Sequence, residues 1–166
     1  MRTITMLFVA AVLLASLSPV TAGEKTNYSG TWNLNNEKSQ IGEGGGWMLT
    51  TKLTIKQEET KMTIDRVTKR RSGEETTSTE IITLDGVECQ NTIGERQKTS
   101  AATWSEDGAS LTISSKMVFE REGNKMEITS TEIWKLTEEG KCLSNDYTSQ
   151  SPRGERKATY VYDKEK

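Results

Sequence analysis

The chain has 166 residues, enough for one domain with its own hydrophobic core. Its formal net charge is −2, with no large block of one sign, which argues against nucleic acid and anionic membrane surfaces as partners. It contains no histidine, which removes the commonest general base, the usual catalytic triads and nearly all zinc sites. We therefore expect no cofactor and no metal, and no set of residues demands an enzyme.

Residues 1–22 are typical of a secretory signal peptide. Arg2 precedes an apolar run from Met6 to Leu17, and small residues at 20–22 form a signal-peptidase site. The run is shorter than the ~20 apolar residues that span a bilayer, and no cysteine follows it to carry a lipid. The sequence therefore predicts export to the periplasm or the extracellular space without a membrane anchor, and one domain over residues 23–166.

The first segment of this domain, residues 29–34, has the pattern of an opening β-strand. Gly30 allows close approach of a neighbouring backbone, and Trp32 and Leu34 share one face at the period of a strand. We expect Gly30 and Trp32 to be structural, with the indole closing one end of the fold. Residues 35–47 contain four glycines and predict a loop, which does not end in the Gly-Lys-Ser/Thr of a phosphate-binding loop.

The rest of the chain alternates between apolar and polar residues and predicts strands joined by short turns. The predicted strands are 48–57, 61–68, 76–84, 87–92, 98–104, 109–120, 126–136, 143–147 and 156–162. With the opening strand they make about eight to ten in an all-β fold. Successive hairpins leave the outer strands without partners, which favours closure into an antiparallel up-and-down β-barrel.

Alternation also predicts which side chains face the interior. The candidates for lining a ligand cavity are Leu53, Ile55, Met62, Ile64, Ile113, Met117, Phe119, Met126, Ile128 and Trp134. Two charged residues, Arg66 and Glu132, fall in the same inner rows. Buried side by side they could hold a polar group of a ligand, although a purely structural pair is the alternative.

Two cysteines, Cys89 and Cys142, lie in the exported part of the chain. Oxidising conditions there let a disulfide persist, and a bridge between them would stabilise the fold by roughly 4 kcal/mol. We predict that bridge, with two buried free thiols as the alternative.

The segment Gly30-Thr31-Trp32 resembles the first strand of the calycins, which comprise the lipocalins and the fatty-acid-binding proteins. The stretch from Tyr28 to Ser39 is also similar to the start of bacterial exported lipocalin-like proteins, and residues 158–164 are similar to the closing strand of fatty-acid-binding proteins. In the latter an arginine two residues before the final tyrosine holds a carboxylate, and here Tyr160 and Tyr162 take these places. The resemblance implies a barrel with an internal cavity, to which both tyrosines could contribute.

Together these observations predict an exported, lipocalin-like protein that binds a small hydrophobic or amphipathic molecule non-covalently inside the barrel. The alternative is a protein-interaction barrel, such as an inhibitor or envelope accessory factor, that presents the loop 41–47 with Trp47 as a hot spot. A hydrolase is disfavoured because carboxylate-only chemistry needs two positioned acids, and only Glu132 can be placed.

Overall fold

The computed structural model describes residues 23–42, 48–121 and 123–166. The predicted signal peptide, 1–22, and the part of the glycine-rich loop that holds Trp47, 43–47, lie outside these residues, so both stay predictions. No helix in the described part of the chain is both long and apolar enough to span a bilayer.

The described residues form ten antiparallel strands in a single sheet that curls into a nearly closed barrel, which confirms the predicted fold class. The strands are β1 Gly30–Leu34, β2 Met48–Gln57, β3 Lys61–Arg70, β4 Glu75–Thr83, β5 Cys89–Ile93, β6 Arg96–Trp104, β7 Ser110–Arg121, β8 Asn124–Thr137, β9 Cys142–Ser151 and β10 Gly154–Lys164. The order across the sheet is β4-β3-β2-β1-β10-β9-β8-β7-β6-β5, so the first strand pairs with the last.

Hairpin registers place alternate residues inside, as the sequence pattern predicts. In the longest hairpin, Leu111 pairs with Trp134 and Phe119 with Met126. A β-bulge between Thr50 and Lys52 shifts the register of β2. Strand β9 extends well beyond its predicted range of 143–147 because several of its inward-facing residues are polar, which weakens the alternation that sequence reasoning uses.

One end of the barrel is packed shut by aromatic side chains. Trp32, Tyr28 and Trp134 are all fully buried there, which confirms Trp32 as the predicted plug. The segment before β1 folds across this end, where the Tyr28 hydroxyl donates to the carbonyl of Trp134 at 2.8 Å and the Trp32 indole donates to the carbonyl of Tyr28 at 2.9 Å. The indole of Trp104 stacks on the Tyr28 ring at 5.9 Å. We call this the closed end.

The barrel has a seam between β4 and β5, where these two described strands share no backbone ladder. There the side-chain amide of Asn91 makes the two hydrogen bonds that a paired strand would make. It accepts from the backbone N–H of Ile81 at 2.8 Å and donates to the backbone carbonyl of Ile81 at 2.9 Å. The Thr83 hydroxyl adds a bond to the carbonyl of Val87 at 2.9 Å. Side chains therefore join the two strands across the seam.

Replacement of this bridging amide should loosen the seam. We expect Asn91→Ala to lower the free energy of unfolding by about 2 kcal/mol, because two hydrogen bonds are lost at roughly 1 kcal/mol each. The Ile81 amide should then exchange its hydrogen much faster in NMR-detected exchange. Gln90→Ala, at the exposed neighbouring position, is the matched control and should change neither quantity. Unchanged protection of the Ile81 amide in Asn91→Ala would contradict this account of the seam.

The predicted disulfide is wrong, because Cys89 and Cys142 are both free thiols. Cys89 pairs with Ser100 on the inner face of β6, whereas Cys142 pairs with Asp163 on the outer face of β10. The thiols thus lie on opposite faces of the wall, with β6, β7 and β8 between their strands, well beyond the ~7 Å limit between the Cα atoms of bridged cysteines. Burial and the neighbouring Asp163 raise the pKa of the Cys142 thiol to about 11.

Candidate functional site

Four strands each place one ionisable side chain at mid-height inside the barrel. Arg66 on β3, Glu80 on β4, Lys98 on β6 and Glu132 on β8 are between 2% and 14% exposed. We call these residues the inner charge cluster. Arg66 donates through Nη2 to both Glu132 oxygens, at 3.0 and 3.2 Å, so these two residues are buried side by side.

Glu132 is held as a carboxylate. Burial acts to raise the pKa of Glu132, but the charges of Arg66 and Lys98, together with hydrogen bonds, outweigh it and leave the pKa below its ordinary value. Besides the two contacts from Arg66, its Oε2 accepts from the Trp134 indole at 2.9 Å and from the Asn145 amide at 2.9 Å. A carboxylate with this many donors is a poor base, which argues against its use in catalysis.

Glu80 connects the two sides of the seam inside the barrel. Its carboxylate accepts from Lys98 Nζ at 2.8 Å and from the Ser100 hydroxyl at 2.6 Å, which links β4 to β6 across the short β5. Arg66 Nε lies 3.7 Å from the same carboxylate and connects the Glu80 pair to Glu132. The inner charge cluster thus balances two positive and two negative charges and takes part in the barrel's closure.

Burial differs on the two sides of this cluster. Toward the closed end Leu111, Ile113 and Trp134 of β7 and β8 are fully buried, whereas toward the other end the inward-facing positions of these two strands are only half-buried. These half-buried residues are Met117, Phe119, Met126 and Ile128, and we call them the open rim. The guanidinium of Arg96 lies 4.7 Å from the centre of the Phe119 ring. The interior therefore has a packed half and a more accessible apolar half.

The wall formed by β9 and β10 adds a second polar group. Arg156 Nη2 donates to the hydroxyl of Tyr160 at 2.5 Å, and the guanidinium lies 5.8 Å from the centre of the Tyr147 ring. Tyr162 is buried deeper, and its hydroxyl donates to the carbonyl of Thr50 at 3.3 Å. Burial raises the pKa of both Tyr160 and Tyr162, so both phenols stay protonated at neutral pH.

The predicted cavity residues fall into three groups. The buried core includes Leu53, Ile55, Met62, Ile64, Ile113, Trp134, Tyr160 and Tyr162. The open rim holds Met117, Phe119, Met126 and Ile128, and the inner charge cluster holds Arg66 and Glu132.

Sequence reasoning missed the other polar residues of the interior, which are Glu80, Lys98, Asn145 and Arg156. The signal was available, because each is an even number of residues from an apolar or aromatic side chain on the same inner face, as Glu80 is from Ile82. Among the charged side chains, only Arg66 and Glu132 were assigned to the inner face.

Two shallow grooves of about 390 and 430 Å³ lie away from the inner charge cluster. The first runs between Gln40, Gly42 and the β9–β10 hairpin, and the second lies beside the C-terminus and the 3-10 turn Glu138–Gly140. In the described part of the chain, no three cysteine or acidic side chains are grouped to hold a metal ion.

No protein-family model matches the chain, and no curated protein matches it either. Among solved structures it is similar to the zebrafish ileal bile acid-binding protein complexed with cholic acid, with a TM-score of 0.51 and 15% sequence identity over 83% of this chain and 98% of that one. The two proteins share the same β-barrel fold. This confirms the fold that the resemblance to the calycins implies.

The barrel of this chain continues from β1 without a helix in residues 35–42. The segment turns and returns to β10 instead, where Gln40 and Thr159 exchange backbone hydrogen bonds of 2.8 and 2.9 Å. Ile41, within the loop predicted to contact a protein partner, packs against the core and is half-buried. This part of the loop is therefore attached to the wall of the barrel.

Proposed function

We propose that this protein is an exported, non-catalytic binding protein that holds a small amphipathic molecule in the open half of the barrel. The observation that carries the proposal is the contrast in burial between the two halves of the interior. The closed end is filled by aromatic residues, of which Tyr28, Trp32 and Trp134 are fully buried, whereas the open rim offers half-buried apolar surface directly above the inner charge cluster.

This arrangement matches the two chemical parts of an amphipathic ligand. Met117, Phe119, Met126 and Ile128 supply apolar area for a hydrocarbon portion, and burial of such area supplies most of the affinity. The inner charge cluster beneath them supplies a few fixed hydrogen-bonding groups, which orient a head group. The cholic acid of the zebrafish protein is an amphipathic molecule of this kind and supports the proposal.

Export and the absence of catalysis belong to the same proposal. The sequence of residues 1–22 supports secretion to the periplasm or beyond, and the domain would then begin near residue 23. The two inward-facing carboxylates, Glu80 and Glu132, are both occupied by cationic partners within the barrel. A site that contributes binding groups rather than a free acid or base suits a carrier.

The test is uptake of a neutral fluorescent hydrophobe, N-phenyl-naphthylamine, by the protein purified without residues 1–22. We expect saturable binding, and we expect Phe119→Ala to weaken it about tenfold. That factor corresponds to about 1.4 kcal/mol, near the lower end of the value for burying a phenylalanine side chain.

The matched control is Val118→Ala, at the next position of β7, which pairs with Glu127 on the outer face. It should bind the dye as the wild type does. An absence of saturable uptake, or equal losses in both variants, would contradict binding in the open half of the barrel.

A further inference from the structure

Asn145 borders the inner charge cluster. It lies on the inner face of β9, is only 3% exposed, and pairs in register with Trp134 on one side and Tyr160 on the other. Its Nδ2 donates to Glu132 Oε2 at 2.9 Å. Because an ionised carboxylate can only accept hydrogen bonds, the amide nitrogen must face Glu132, and this fixes the Oδ1 atom on the opposite side.

The Oδ1 atom of Asn145 is a buried acceptor that receives no hydrogen bond from any residue in the described ranges. Buried amide oxygens nearly always have a partner, since an unpaired one keeps the full cost of losing water. The Trp134 indole and Arg66 Nη2 both donate to Glu132 rather than to this oxygen. Oδ1 can therefore accept a hydrogen bond from a ligand.

The charges around this acceptor decide what kind of donor fits. The inner charge cluster has two cations and two anions, and the further interior cation, Arg156, donates to the Tyr160 hydroxyl. A carboxylate head group would bring no hydrogen to Oδ1 and would stand beside the negative charge of Glu132. A hydroxyl brings the missing hydrogen without adding charge.

We propose that the ligand's head group is an uncharged hydrogen-bond donor, such as an alcohol, and that Asn145 Oδ1 accepts its hydrogen. This inference rests on the proposed function and deepens it, because it assigns the specificity of the site to one atom. The expected ligand class is an aliphatic or polycyclic alcohol rather than a fatty acid.

The test compares decanol, decyl methyl ether and decanoate as competitors of N-phenyl-naphthylamine at mildly alkaline pH. The ether keeps the oxygen and is more apolar, so hydrophobicity alone favours it over the alcohol. We expect decanol to displace the dye at about fivefold lower concentration than the ether, as one neutral hydrogen bond provides. Decanoate should be the weakest competitor.

Asn145→Leu should abolish the preference for decanol over the ether. Ser144→Ala, at the outward-facing neighbour on the same strand, should keep it. If Asn145→Leu does not fold, the side-chain amide resonance of Asn145 in the isotope-labelled wild type gives the same answer. It should move on titration with decanol and stay in place with the ether.

Dye uptake with no preference for the alcohol, or a preference that survives Asn145→Leu, would overturn this inference and leave the proposed function standing. Equal competition would mean that water satisfies Oδ1 in the complex. A complete absence of dye uptake would overturn the proposed function, and this inference with it.

Discussion

Glu132→Gln should lower the free energy of unfolding by about 3 kcal/mol, although the new side chain has nearly the same shape. The amide oxygen can still accept from Trp134 and Asn145, but the charge that compensates Arg66 is lost. Removal of one partner of a buried ion pair typically costs about 3–5 kcal/mol, because the other charge stays buried and uncompensated. Arg66→Met should cost a similar amount for the same reason.

The double variant Arg66→Met/Glu132→Gln should be more stable than either single variant. Both charges leave together, and Glu80 and Lys98 remain as a closed pair at 2.8 Å. Thermal and chemical denaturation of the four proteins gives the coupling free energy, which we expect to reach about 2 kcal/mol or more. The control is the exposed pair Lys116 and Glu127, whose charged atoms are also 2.8 Å apart, on the outer face of the β7–β8 hairpin.

The exposed control pair should show a coupling below about 1 kcal/mol, as surface ion pairs do. Additive effects of Arg66→Met and Glu132→Gln would mean that these two charges do not stabilise each other inside the barrel. The inner charge cluster would then not be the unit that the geometry indicates.

Trp32→Ala should lower the free energy of unfolding by about 3–5 kcal/mol, because it empties the middle of the closed end. The indole is fully buried and donates to the carbonyl of Tyr28, and Lys164 Nζ lies 5.0 Å from its ring centre. Chemical denaturation measures the loss. Asn33→Ala, which changes the exposed neighbour on β1, should stay within about 0.5 kcal/mol of the wild type.

A loss below about 1 kcal/mol in Trp32→Ala would show that the N-terminal segment and Trp134 hold the closed end without this side chain. The predicted large effect also bears on function, since a stable closed end is what would confine a ligand to the open half of the barrel.

Sequence alternation predicted the barrel because the inner rows of β7 and β8 are long and regular. It also placed Arg66 and Glu132 on inner faces, and the structure pairs them. It could not predict the partnership of Glu80 with Lys98, because these residues belong to strands separated by the seam and meet only when the sheet curls. Contacts across the seam depend on the curvature of the whole sheet, which the local pattern of residues along one strand does not predict.

The disulfide prediction failed for a related reason. Cysteine count and an inferred oxidising compartment say that two thiols can pair, but not which face of the sheet each one occupies. The inner position of Cys89 and the outer position of Cys142 follow from the strand registers, which depend on the turn lengths between them. Asn145 was not predicted as a site residue, because the many polar residues of β9 weaken the alternation of this strand.

The most direct test of a two-part interior uses isotope-labelled methionine methyl groups in the protein titrated with decanol. Met117 and Met126 lie in the open rim, whereas Met62 is fully buried in the core and serves as an internal reference. We predict that the methyl resonances of Met117 and Met126 shift saturably while that of Met62 does not. Saturable binding that leaves both rim methyl groups unchanged, or that shifts Met62 as much as the rim, would contradict the account.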